Sequence, residues 1–167
     1  MTVTSNARIA GATMIIYLAA GIGSLVMAGQ AFVGVFNLFE SFSALVLGVT
    51  FFAITRETDR DIALIAMMCR VIEAVPGEGF IYAAVGTLLF SWLLLRGHTI
   101  PASIARLGVA ASALVVLQLV IQRAGLLAGT NWASRATWIG AVPLLVFELT
   151  LAGWVLTKGV RRPVTVG

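Results

Sequence analysis

Long apolar stretches separated by short polar breaks dominate this chain. Runs at 9–28, 32–54, 79–96, 104–127 and 138–157 are each close to the length of about 20 residues that a helix needs to cross a 30 Å hydrocarbon core. A sixth stretch, 61–75, is shorter and reaches only about 22 Å at 1.5 Å per residue. Periodicity does not decide whether it crosses.

The Lys and Arg residues do, because cytoplasmic loops are enriched in them. If 61–75 crosses, Arg8, Arg56, Arg60, Arg96, Arg106, Lys158, Arg161 and Arg162 share one side and only Arg123 and Arg135 face the other, eight against two. If it turns back, the division is five against five. The expected fold is therefore all-α, a polytopic bundle of six transmembrane helices in the cell membrane. The third helix is short and ends at a Pro/Gly break, and both termini are cytoplasmic.

That break, "VPGEGF" (Val75 to Phe80), stops the third helix about 8 Å short of the outer surface. Val75 is biased out of helix by Pro76. Non-helical backbone at such depth is tolerated only where protein or a watery cavity satisfies its polar groups, so the turn is expected to line an outward-facing recess with Glu78 at its rim. A locally thinned bilayer, or a kinked helix continuing through Gly77 and Gly79, is the alternative. On the cytoplasmic side, Asp59 or Asp61 is a candidate N-cap for the third helix, and Pro101 falls near the first turn of the fifth.

Composition agrees with an integral membrane protein. Of 167 residues 60% are hydrophobic and 11% charged, with a mean hydropathy of +1.03, against about 25% charged in soluble domains. No linker or repeat divides the chain, so residues 1–167 are expected to form one domain whose partner is the lipid bilayer. The net charge of +4 comes from cations scattered at segment ends, which excludes a phosphate-tracking stripe and hence nucleic acid. The first apolar run exceeds the 7–15 residues or so of a signal-peptide core, so an uncleaved first span is expected. The single cysteine, Cys69, excludes an internal disulfide or a multi-cysteine metal site, and its apolar neighbours predict burial.

Four ionisable residues, Glu40, Arg70, Glu73 and Glu148, interrupt the spans. Each costs on the order of 2.5–3.5 kcal/mol at bilayer depth and so points to function. Arg70 and Glu73, at i and i+3, share a helix face and can pair. Measured from the outer ends of the spans, Glu40 and Glu73 lie about 12 Å deep and Glu148 about 15 Å; Gln118 and Gln122 also fall in the outer half. Asn37, Glu40, Ser41, Ala44 and Gly48 form a polar and small-residue face on the second span, and Gly108, Ser112, Val115, Gln118 and Gln122 form one on the fifth. Such faces also serve as plain packing seams between helices in lipid. Three carboxylates against one guanidinium leave a formal charge of minus two, so at least one carboxyl is expected to be protonated or balanced by a cation.

Several short pieces resemble a family of bacterial multi-span membrane proteins known as domain of unknown function 4386. They are "ARIAG" (Ala7 to Gly11), "CRVIEA" (Cys69 to Ala74), and Pro143 with Phe147-Glu148-Leu149, followed by Gly153-Trp154 and Lys158-Gly159. The resemblance implies a six-helix membrane domain with no assigned activity. Members usually carry larger non-cytoplasmic segments after the first and third spans; here the latter is reduced to Pro76-Gly77-Glu78-Gly79.

Motifs for other chemistry are missing. There is no Walker A run, HExxH or CxxC pair, and no nucleophile or triad for a lipid-modifying enzyme, so no catalytic residue, metal or cofactor is expected. His98 reads as a solvated loop residue, Gly21-Ile22-Gly23 as helix packing, and Gly125 with Gly129 as a GxxxG contact. Trp92, Trp132, Trp138 and Trp154 read as interfacial anchors. The expected function is binding or translocation of a small molecule or ion at an outward-facing polar recess built from Glu40, Arg70, Glu73, Glu148, Asn37, Gln118, Gln122 and Glu78. The alternative is an accessory subunit whose buried charges only fix helix packing.

Overall fold

A computed structural model describes the backbone of residues 3–75, 79–126 and 132–161, and side chains at 5–75, 79–126 and 139–161. Glu78, the turn at 76–78, Gly129, Arg162 and the side chains of Trp132, Arg135 and Trp138 lie outside the described residues. Six helices follow one another: α1 (Val3–Val26), α2 (Val33–Thr55), α3 (Arg60–Glu73), α4 (Gly79–Arg96), α5 (Ala102–Arg123) and α6 (Trp132–Thr157). There is no strand among the described residues. All but α3 contain a stretch long and apolar enough to cross a membrane.

Helix ends differ from the apolar runs for local reasons. α1 begins at Val3 and not Ile9, because its polar first turns pack on the bundle: Asn6 and Ala7 are buried. A Cβ on Gly11 would come within 2.7 Å of the Leu156 side chain of α6. α6 likewise starts at Trp132, ahead of the apolar run. α5 stops at Arg123, short of Leu127, because Gly125 adopts φ +74°. Its N–H donates to the Gln122 carbonyl and that of Leu126 to the Ile121 carbonyl, the 5→2 and 6→1 bonds of a glycine-terminated helix. Gly125 thus ends a helix; the contact expected from its spacing to Gly129 lies outside the described residues.

α3 starts where Asp59 caps it, its carboxylate accepting from the Ile62 N–H at 3.2 Å. Between the two candidates, Asp59 is the cap. Pro101 occupies the N-cap position of α5.

Each helix packs on the next, and α6 returns to α1, so the six form a closed ring in which α2 also touches α4. Neighbours run antiparallel. At one end, Asp59 before α3 pairs with Arg96 at the close of α4 (3.5 Å), and the Arg161 N–H after α6 donates to the Thr99 carbonyl (2.9 Å). At the opposite end, a Cβ on Gly23 of α1 would strike the Phe36 ring of α2, and one on Gly79 would meet the Glu73 carbonyl of α3. α3 therefore runs from the arginine-rich end toward the other, between α2 and α4.

Apolar packing is concentrated toward the arginine-rich end, where Ala7, Ile54, Ala63, Leu93, Leu94 and Val155 are buried. Toward the opposite end the helices spread. Phe32, Val35 and Leu38 are exposed there, as suits a surface whose solvent is hydrocarbon. That loosening makes room for the site.

A candidate binding site of one locked and two open carboxylates

Small residues let α3 carry a charged side chain into the interior. A Cβ on Gly48 of α2 would lie 2.9 Å from the Arg70 Cβ, and one on Gly86 of α4 would lie 3.2 Å from the Cys69 Cβ. Both neighbours must be glycine-thin there, so that α3 seats between them. Cys69 is buried as expected, and Arg70 is only 2% exposed.

Arg70 is held from three helices. Its Nη1 donates to Glu73 Oε2 at 2.8 Å, and its Nη2 to Thr87 Oγ1 of α4 at 2.6 Å. The Tyr17 hydroxyl of α1 donates to the other Glu73 oxygen at 2.5 Å, and the guanidinium carbon sits 5.6 Å from the Tyr17 ring centroid. The i,i+3 pair expected from sequence is therefore formed, with the Glu73 side chain 7% exposed. Tyr17 and Thr87 complete it, and sequence reasoning missed both. A tyrosine in the middle of an apolar span, away from the interfacial belt where aromatics collect, was the available signal for Tyr17. The Arg70 Nε is buried with no hydrogen-bond partner among the described residues, so the lock is strong but not saturated.

Two cavities flank this lock. The larger, about 520 Å³, lies among α1, α2, α4 and α6, with Glu40 and Glu148 in a wall otherwise formed mainly by residues such as Leu18, Ile22, Leu25, Phe80 and Leu144. The smaller, about 300 Å³, lies among α1 to α4 and is walled by Glu40, Glu73, Ser41 and Val75. Tyr17, Asn37, Glu40, Phe80 and Ala83 line both, so they meet at the level of Glu40. Val75 and Gly79, the two described ends of the Pro-Gly turn, border the smaller one.

The carboxylates differ in what meets them. Glu73 is saturated by Arg70 and Tyr17. Glu148 is 94% buried (6% exposed), and neither it nor Glu40 takes part in the ion pairs or side-chain hydrogen bonds formed among the described residues. The Glu40 carboxyl lies over Gly21 of α1, whose added Cβ would stand 3.5 Å from its Oε1. Among the described residues no Lys, Arg or His lines either cavity. Among the described residues there is also no group of three His, Cys, Asp or Glu able to hold a metal ion.

The structure thus brings Glu40, Arg70, Glu73, Glu148 and Asn37 to one region. It does not bring Gln118 and Gln122 there. α5 packs only on α4 and α6, and Gln118 faces Gly140 of α6, whose added Cβ would come within 2.5 Å of the Gln118 Oε1. Equal depth did not mean a shared face. Glu148 lies nine residues into the apolar stretch Ile139–Thr157, about 14 Å along the helix.

Comparison with known proteins finds no matching family model, no similar curated protein and no similar solved structure.

Proposed function

We propose that this chain is a six-span protein of the cell membrane, with cytoplasmic termini, that holds a small molecule or ion in a recess entered from the non-cytoplasmic side. The observation that carries the reading is Glu148, a buried carboxyl in no direct ion pair among the described residues, on the wall of a cavity of about 520 Å³. That volume is within the range of small-molecule sites. An ionisable side chain at bilayer depth marks a ligand or ion path by default. The antiparallel course of α3 and the eight-to-two division of Lys and Arg support six crossings. The cavity reaches Ala28, next to the α1–α2 connector, and so faces away from the arginine-rich end.

A second reading, an accessory subunit with purely architectural charges, is favoured by one observation. The Tyr17–Glu73–Arg70–Thr87 network already ties α1, α3 and α4 together. In our reading that network is the scaffold, and Glu40 and Glu148 are the working groups.

Access separates the two. With Cys69 replaced by Ala, single cysteines at Ile22 and Leu145 are exposed to a membrane-impermeant thiol reagent in right-side-out vesicles. Modification at both positions from the outside is expected for the recess. Protection of both in folded protein overturns it in favour of the accessory reading.

A further inference from the structure

We propose that the larger cavity selects lipophilic organic cations, molecules with one positive charge on a bulky apolar body. This deepens the binding reading above and rests on it.

The wall sorts ligands by charge first. Glu40 and Glu148 both line the cavity, and among the described residues no Lys, Arg or His does. The buried Arg70 nearby is not on the wall; it bonds Glu73 and Thr87. An anion entering the cavity would meet like charge in a low-dielectric setting with no donor of full charge to receive it. A cation would give Glu148 the partner that the protein itself withholds.

The remainder of the wall sorts by body. Leu18, Ile22, Leu25 and Leu144 supply aliphatic surface, and Phe80 an aromatic face. Tyr17, Ser24, Asn37 and Thr87 are the neutral polar groups on the wall. A small hydrated metal ion would find too few oxygen ligands, since hard cations take six or more. A zwitterion such as an amino acid would lack a cation for its carboxylate. An apolar body with a diffuse positive charge matches both halves of the lining, because such a charge loses little hydration and is attracted to aromatic faces.

The test uses a pair of ions of nearly equal shape and opposite charge. Purified full-length protein in lipid nanodiscs is titrated with tetraphenylphosphonium and, separately, with tetraphenylborate, and binding is read by equilibrium dialysis against empty nanodiscs. Saturable binding is expected for the phosphonium alone, weakened about tenfold or more in Glu148→Gln. If that variant does not fold, Ile22→Trp, which fills the cavity from its wall, is expected to remove the same binding. The result is overturned if tetraphenylborate binds as tightly, or if phosphonium binding is unchanged in a folded Glu148→Gln or Ile22→Trp protein. It is also overturned if no saturable phosphonium binding exists. Those outcomes leave the cysteine-access result standing, so failure of the cation assignment is distinct from failure of the recess itself.

Discussion

The Arg70–Glu73 pair carries a consequence for stability that can be worked from its surroundings. Glu73→Gln leaves the guanidinium charged and 2% exposed, with Thr87 as its remaining hydrogen-bond acceptor of full strength. Removing one partner of a buried pair typically costs about 3–5 kcal/mol; the Gln carbonyl can still accept one bond, which places the expected loss near 3 kcal/mol. Arg70→Met keeps the stem that fits against Gly48 and removes the charge. It leaves Glu73 with only the Tyr17 hydroxyl, and a similar loss of about 3 kcal/mol is expected. The double variant removes both charges, so its loss is expected to be well below the sum, with a coupling of about 2 kcal/mol. Reversible unfolding by sodium dodecyl sulfate in mixed bicelles, followed by far-ultraviolet circular dichroism, measures all four proteins on one scale. Additivity within about 0.5 kcal/mol refutes the reasoning, since the 2.8 Å contact would then carry no energy of its own.

Two further predictions use the same titration. Gly153 has nothing within 4 Å of an added Cβ, whereas one on Gly48 would stand 2.9 Å from the Arg70 Cβ; Gly153→Ala is expected to stabilise by about 0.5–1 kcal/mol and Gly48→Ala to destabilise by about 1–3 kcal/mol, and equal effects would count against the seating of α3. Asp59→Ala, which removes the α3 cap, is expected to cost about 0.5–2 kcal/mol. Arg96→Ala breaks only a pair whose arginine is 52% exposed and is expected to cost less than about 1 kcal/mol; a larger loss for Arg96→Ala than for Asp59→Ala would reverse the ranking of cap over ion pair.

Five of the six helices were readable because a chain that must satisfy its backbone within each span signals those spans by apolar length; the short α3 was read from the distribution of Lys and Arg. Helix ends were less readable. Hydropathy marks the stretch that sits in hydrocarbon, whereas a helix continues for as long as its own hydrogen bonds and neighbours favour it. Asn6 and Arg8 in α1 therefore belong to a helix although they lie outside the apolar run. Gly125 ended α5 early by its backbone conformation, which composition does not display.

Depth was partly readable as well, since rise per residue converts sequence position into distance along an axis. Direction around that axis was not, and it decided membership of the site. Gln118 shares an outer-half position with Glu40, yet the ring order gives α5 only α4 and α6 as neighbours. The pair at Arg70 and Glu73 escaped this difficulty because both residues are on one helix, where spacing alone fixes a common face.

The three carboxylates show why such a site needs neighbours to interpret it. Glu40, Glu73 and Glu148 have the same signature in sequence, one acid within an apolar span. Around Glu73 the structure places a guanidinium and a phenol, so its charge is answered from within the protein. Around Glu148 it places a cavity wall and aliphatic side chains. If burial alone explained these acids, all three would be expected to be answered internally, since each carries the cost of leaving water. Only Glu73 is met by direct contacts among the described residues. Neutralising the acids should therefore separate two effects that the sequence presents as one: Glu73→Gln removes a bond that holds helices, whereas Glu148→Gln removes a charge that makes no direct bond within the bundle.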